Sequence, residues 1–240
     1  MKHSFLSIVM FSLLAISCSN NATYIGEGEL ITKEIALNNF KTVKTHGSFR
    51  VNITKGTTQK VEIIGHSNIL DRLETQVYYE ELNIQLLEGS YSNIDITVNI
   101  TIPTLNKASL SGSGDIYIYD SSSDETTFLE IFGSGNIEVY KNDGCKNMNA
   151  TIDGSGSINM HQQFTDIENL ILKIKGSGSY FGFKNSVENA TINIKGSGNC
   201  NTTVSQLIKA NINGSGNINY KGNPNIESEI SGSGKIRNLN

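Results

Sequence analysis

Asn211 to Tyr220 reads NINGSGNINY. Two short alternations of apolar and polar residues flank Gly-Ser-Gly. Alternation with a period of two is strand patterning, and glycine is normally disfavoured inside a strand. The triplet therefore marks a backbone corner, a flexible joint or a ligand loop. Its recurrence decides among them.

Gly-Ser-Gly occurs seven times, at steps of 21, 21, 22, 20, 18 and 18 residues. The paired glycines are Gly112 and Gly114, Gly133 and Gly135, Gly154 and Gly156, Gly176 and Gly178, Gly196 and Gly198, Gly214 and Gly216, and Gly232 and Gly234. Two residues before each triplet stands Leu110, Ile131, Ile152, Ile174, Ile194, Ile212 or Ile230. Two residues after it stands Ile116, Ile137, Ile158, Tyr180, Cys200, Ile218 or Ile236. A third apolar row is expected at Phe128, Met148, Leu170, Val187, Leu207 and Ile226.

A period near 20 residues with strand patterning is the signature of a solenoid. The expected fold is all-β: a single-stranded parallel β-helix with about seven Gly-Ser-Gly coils, preceded by a β-rich N-terminal domain. One coil cannot bury its own apolar face, so coils must stack. Seven coils at about 4.8 Å each make a rod of about 34 Å. The glycines become corners where backbone needs positive φ or close approach. The serines are expected to form a hydroxyl ladder, and the residues after each triplet an outward polar row.

Residues 31–105 lack the triplet but are rich in alternating runs, such as SFRVNITKG and NIDITVNITIP. GTTQ and YEEL read as hairpin turns, and SNILDRLE as one helical turn capped by Ser67 or Asn68. TVKTHGSFRVNI is a degenerate copy of the unit, with Gly47-Ser48 in the triplet's place. Pro103 sets the boundary before the repeat domain, residues 106–240. At the far end, the last coil must be capped by its own KIRNLN tail or by a partner.

The first residues are not part of this pattern. Phe5 to Ile16 is an apolar run behind Lys2, the form of a signal peptide over residues 1–17. It stops at Ala15-Ile16-Ser17-Cys18, which resembles a bacterial lipobox. That resemblance implies cleavage before Cys18, diacylation of its thiol, a membrane-held chain end and a tether over residues 18–30. Removal of the leader leaves 18 basic against 23 acidic residues, a net charge of −5. No basic field recruits nucleic acid. Cys145 and Cys200 fall at different points of different repeats and are expected to be free thiols.

The lipobox, the GHSNILDRLETQV segment after a Gly-Ser-Phe strand, and the seven GSG units together resemble the "putative auto-transporter adhesin, head GIN domain" family. GSGNI stands intact at 133–137 and 214–218. The resemblance covers essentially the whole chain after the leader. It implies an all-β, β-helical, Bacteroidetes-type cell-envelope lipoprotein of the outer membrane. It brings no catalytic or ligand-binding residues with it.

The chemistry-bearing motifs fail one by one. GSGKI at 232–236 lacks both ends of a phosphate-binding Gly-x4-Gly-Lys-Ser/Thr loop. Calcium-binding β-rolls need a nine-residue period with recurrent Asp, and only Asp115 follows a triplet directly. Carboxylates that could serve a polysaccharide-active enzyme are Asp124 with Glu125, Asp166 with Glu168, and Glu227 with Glu229. None recurs at one offset in adjacent coils. His161 begins a turn with no fixed partner in sequence. Tyr117, Tyr119, Tyr140, Tyr180 and Tyr220 are candidates for a ligand-stacking strip.

The reading is a non-enzymatic envelope lipoprotein without a cofactor, whose solenoid presents a structural or adhesive surface. Its partners would be the membrane, through Cys18, and a glycan or protein surface ligand. The readings from other classes are a polysaccharide-active β-helix enzyme and a periplasm-facing scaffold.

Overall fold

The computed structural model describes residues 23–162 and 167–240. It is nearly all strand, arranged as a β-solenoid of about six turns. Each turn is a long strand, a Gly-Ser-Gly corner and a short strand. Ser122–Gly133 and Asn136–Val139 form one such turn, and Asp143–Gly154 and Ser157–Met160 form the next. All neighbouring turns pair in parallel, triplet on triplet: Gly112 opposite Gly133, Gly133 opposite Gly154, and so on to Gly232.

The two glycines of a corner are required for different reasons. The first has positive φ in every copy, from 113° at Gly176 to 144° at Gly133, a region that L side chains avoid. The last lies against the preceding turn and is buried in every copy but the final one, where Gly234 is half-buried. A Cβ on Gly178 would lie 2.6 Å from the Gly156 carbonyl oxygen. The serine between them is exposed in all seven copies.

The expected hydroxyl ladder does not form among the described residues; the corner is held by backbone. The Gly133 carbonyl accepts from the amides of both Ser155 (2.9 Å) and Gly156 (3.2 Å). The Gly214 carbonyl likewise accepts from Ser233 and Gly234. Two donors on one oxygen leave the hydroxyls no structural task.

Ile131, Ile152, Ile174, Ile194 and Ile212 and, beyond the corner, Ile116, Ile137, Ile158 and Ile218 are at most 1% exposed. They form continuous inward columns. The third column runs Thr127, Met148, Leu170, Ala190, Ile208 and Ile226. Phe128 lies one place off it, 38% exposed, and Leu207 and Val187 also leave that row. This column keeps one offset, six residues before the first glycine of each corner, so Phe128, Val187 and Leu207, at five, nine and seven residues, fall outside it. Bulges at Ser122/Glu125 and at Gly182/Ser186 shift the register only upstream of the column.

The N-terminal strands are built into the same stack. Thr42–Gly47 pairs in parallel with Lys107–Gly112, and Arg50–Lys55 with Asp115–Ile118, so Gly47 (φ 144°) stands directly opposite Gly112. Below this rung lie Glu81–Leu86 and Thr97–Ile102, again parallel. Spatial order thus departs from chain order: residues 81–102 sit beneath 42–55, and the chain then passes to the other side at 107.

The stack ends there in antiparallel strands. Leu73–Tyr78 covers Glu81–Leu86, and Lys60–His66 covers Thr97–Ile102, with Leu30–Glu34 outside it. The YEEL hairpin forms, with Tyr79 and Glu80 both at positive φ. GTTQ does not close a hairpin between neighbours, because Thr97–Ile102 inserts between the strands it joins.

The single turn Ser67–Leu70 is capped by His66 and not by a side chain. Asn68 instead binds the Ile25 carbonyl and the Glu27 amide. In the segment read as tether, Thr23–Ile25 is a strand paired with Ser90–Ser92. Tyr24 stacks on Tyr91 at 5.4 Å between centroids, and Arg72 lies 3.8 Å over its ring.

Candidate functional site

Outward positions of the short strands form columns along the rod. One runs Tyr117, Glu138, Asn159, Phe181, Asn201 and Asn219. Next to it, just past the strand ends, stand Tyr119, Tyr140 and His161. Each is five residues after the last glycine of its corner. Their amides donate to Ile53, Ile118 and Val139 of the preceding rungs, which fixes their spacing.

The rings stack in series. Centroids are 6.0 Å apart for Tyr117 and Tyr119, 5.4 Å for Tyr119 and Tyr140, and 4.4 Å for Tyr140 and His161, with interplanar angles of 14°, 19° and 11°. Arg50 lies 5.3 Å from the Tyr117 centroid, a cation over the end of the pile. Such pairs contribute about 0.5–1.5 kcal/mol each beyond their burial, so the pile stiffens the face that carries it.

Polar groups tie the pile to the sheet. Asn159 Nδ2 donates to Glu138 Oε1 at 2.7 Å, and His161 Nε2 meets Glu138 Oε2. His161 therefore has two fixed partners, Tyr140 and Glu138, from the neighbouring rung. Both carboxylate oxygens of Glu138 are engaged. Burial, followed by the Asp115 carboxylate, raises the Tyr117 phenol above its ordinary pKa, so it remains a protonated donor.

Of the five tyrosines expected in a strip, three belong to it. Tyr180 points inward and is 2% exposed, and Tyr220 packs against the core. Both have the parity of inward columns, which residue type alone conceals. His161 was the missed member; its signal is the offset it shares with Tyr119 and Tyr140.

The arrangement decides what this face can do. The stacked rings cover one another's faces, so it offers edges: phenol hydroxyls and the half-exposed rim of Tyr119 (48%). Further along the same face, beyond the rung of Phe181, run amide ladders, Asn219 to Asn201 at 2.9 Å and Asn217 to Asn199 at 3.2 Å. That is a rigid, hydrogen-bonding surface with a regular rise, without a deep pocket of converging charges.

Among the described residues the candidate catalytic carboxylates do not converge on one cluster. Asp124 binds Lys41 (2.7 Å) and Asn106, Glu125 binds Lys146, Glu227 binds Lys209, and Glu229 reaches Asn211. Asp166 and Cys18 lie outside the described residues. No group of three or more His, Cys, Asp or Glu side chains converges among the described residues. Cys145 and Cys200 are free and buried.

Solved structures share this architecture. A putative adhesin from Bacteroides fragilis superposes with a TM-score of 0.81 at 23% identity, over 90% of this chain and 100% of its own. A putative lipid binding protein from Parabacteroides distasonis gives 0.74 at 24%, over 91% and 100%. A putative adhesin from Parabacteroides merdae gives 0.68 at 20%, over 91% and 99%. At such identities the likeness is one of fold. No curated protein matches the chain. The family model described as "Putative auto-transporter adhesin, head GIN domain" matches residues 39–224, from before the first rung to the penultimate one. By that match the chain belongs to the auto-transporter adhesin, head GIN domain family.

Proposed function

We propose that this protein is a non-enzymatic adhesin of the bacterial cell envelope that holds hydroxyl-rich surface glycans along its short-strand face. The observation that carries the reading is the stacked, half-exposed row of Tyr117, Tyr119, Tyr140 and His161, followed along the same face by a column of amides. Its members are held before any ligand arrives, so little ordering entropy opposes binding. Repetition along the rod, and of rods on a cell, multiplies weak single contacts into avidity. The separated, ion-paired carboxylates support binding without turnover.

In the same proposal, residues 1–17 direct export and Cys18 carries the lipid that holds the protein to the outer membrane. Residues 31–105 form the closed end of the rod, and residues 106–240 the repeat region.

The test is a glycan array and whole-cell binding with soluble protein beginning after Cys18. Binding by the native chain, and its loss in Tyr119→Ala/Tyr140→Ala, is the expected result. A folded native rod that binds nothing, or a double variant that binds equally well, would overturn the site. Fatty-acid labelling that is lost in Cys18→Ser checks the anchor, and protease shaving of intact cells checks outward display.

A further inference from the structure

The two ends of the solenoid are unlike. At the N-terminal end, antiparallel strands close the stack. At the other end, Asn225–Gly232 pairs only with the strand Asn199–Gly214, and Lys235–Asn238 only with Asn217–Lys221. Each leaves one backbone edge unpaired among the described residues. The expected cap does not form, because KIRNLN is itself the strand of that last rung.

Its inward side chains are bare. Ile226 is 41% and Ile230 45% exposed, whereas Ile208 and Ile212, directly opposite them in the previous rung, are 0% exposed. An unpaired edge beside apolar side chains is a template for strand addition.

We propose that this end pairs with the same end of a second copy of the chain, through a two-fold axis at the last corner. The charges point to a second copy as the occupant. The outward Glu229 lies four residues before Ser233 and the outward Arg237 four residues after it, one charge of each sign at matching distances from the corner. A two-fold through Ser233 lays the strand before the corner antiparallel on the strand after it. Residues whose numbers are symmetric about 233 then face each other. Glu229 meets Arg237 of the second copy, and Ile230 meets Ile236 of the second copy.

Within the two paired strands inward positions meet inward positions, Ile230 on Ile236 and Ser228 on Asn238, so the cores join at the corner. The contact is isologous, each pair occurring twice, and it closes at a dimer. Direct stacking in the other sense, acidic strand on acidic strand, would oppose like charges. Head-to-tail growth is met by the antiparallel strands at the closed end. This inference is independent of the glycan reading.

The test is the mass of the soluble chain beginning after Cys18, by light scattering and sedimentation across a concentration series. The expected result is a dimer that Ile230→Asp converts to a folded monomer. Glu229→Arg is expected to weaken the dimer roughly tenfold or more by setting two arginines together. Glu229→Arg/Arg237→Glu restores the pairing. A monomer at the highest concentrations overturns the proposal and leaves the end to another occupant. So does a dimer insensitive to both Ile230→Asp and the charge exchange. Circular dichroism of each variant separates lost pairing from lost folding.

Discussion

The ring of Tyr180 occupies the space that a side chain at Gly182 would need. Tyr180 stands in a column that carries isoleucine at Ile116, Ile137 and Ile158, and it is fully enclosed, with its hydroxyl 3.7 Å from the Met148 sulfur. The larger residue fits because the inward position two residues on has no Cβ. Gly182 is thus the partner of one aromatic ring. Gly182→Val is expected to lower stability by about 1–3 kcal/mol through overpacking. Tyr180→Ile/Gly182→Val should recover part of that loss, since aliphatic side chains fill both columns in other rungs. Urea midpoints at constant m would show this; simple additivity of the two changes would refute the coupling.

The corner glycines and the serine between them should respond oppositely. Gly196→Ala places a side chain at φ 121°, a strain of about 1–3 kcal/mol, with its Cβ against the Gly176 carbonyl. Ser197→Ala removes an exposed hydroxyl and should stay within about 0.5 kcal/mol of the native chain. Thermal or urea unfolding of both variants checks the contrast.

Both cysteines should be inert in the folded rod. Burial pushes the Cys200 thiol far up, and raises that of Cys145, so neither supplies thiolate at neutral pH. Iodoacetamide is expected to leave both unmodified in buffer and to alkylate both in denaturant. Rapid native labelling at either site would contradict the enclosed core.

Acid should remove a small stabilising contribution on the long-strand side. The hydrogen bond from Lys141 holds the Asp143 carboxyl below its ordinary value, with burial opposing. A depressed folded pKa means that the contribution is complete above the unfolded carboxylate pKa and is lost as pH falls through the folded one. Lys141→Met should flatten the acid limb of stability against pH. The change should be modest, because the pair is about half exposed.

The glycan reading predicts a separation of effects. Tyr119→Ala and Tyr140→Ala should each cost about 1 kcal/mol of stability through lost stacking while abolishing surface binding. His161→Ala, at the end of the pile, should cost no more. A binding loss that merely tracks unfolding, as followed by circular dichroism on the same samples, would reduce the pile to a structural element.

Much of the molecule is legible because stacking writes itself into the chain. A turn that must lie on an identical turn repeats its corner and its inward residues at one interval. Seven triplets and their flanking isoleucines therefore fixed the class of fold, the strand register and the two reasons for glycine. Gly47 could be aligned with them even though Phe49 replaces the last glycine. The third inward column keeps the interval too, six residues before each corner; there hydrophobicity misleads, because Thr127 and Ala190 stand in the column while the more apolar Phe128 and Leu207 stand one place off it.

Tertiary structure alone decided three further matters. It placed residues 81–102 beneath 42–55, because pairing is set by edges in space and not by order in the chain. It assembled Tyr117, Tyr119, Tyr140 and His161 into one pile, because ring contact depends on the rise between rungs, which no single repeat contains. It left Ile226 and Ile230 bare, because their positions match those of buried residues and only a missing neighbour distinguishes them. A repeat determines what every turn shares; what distinguishes one turn from another is the company it keeps.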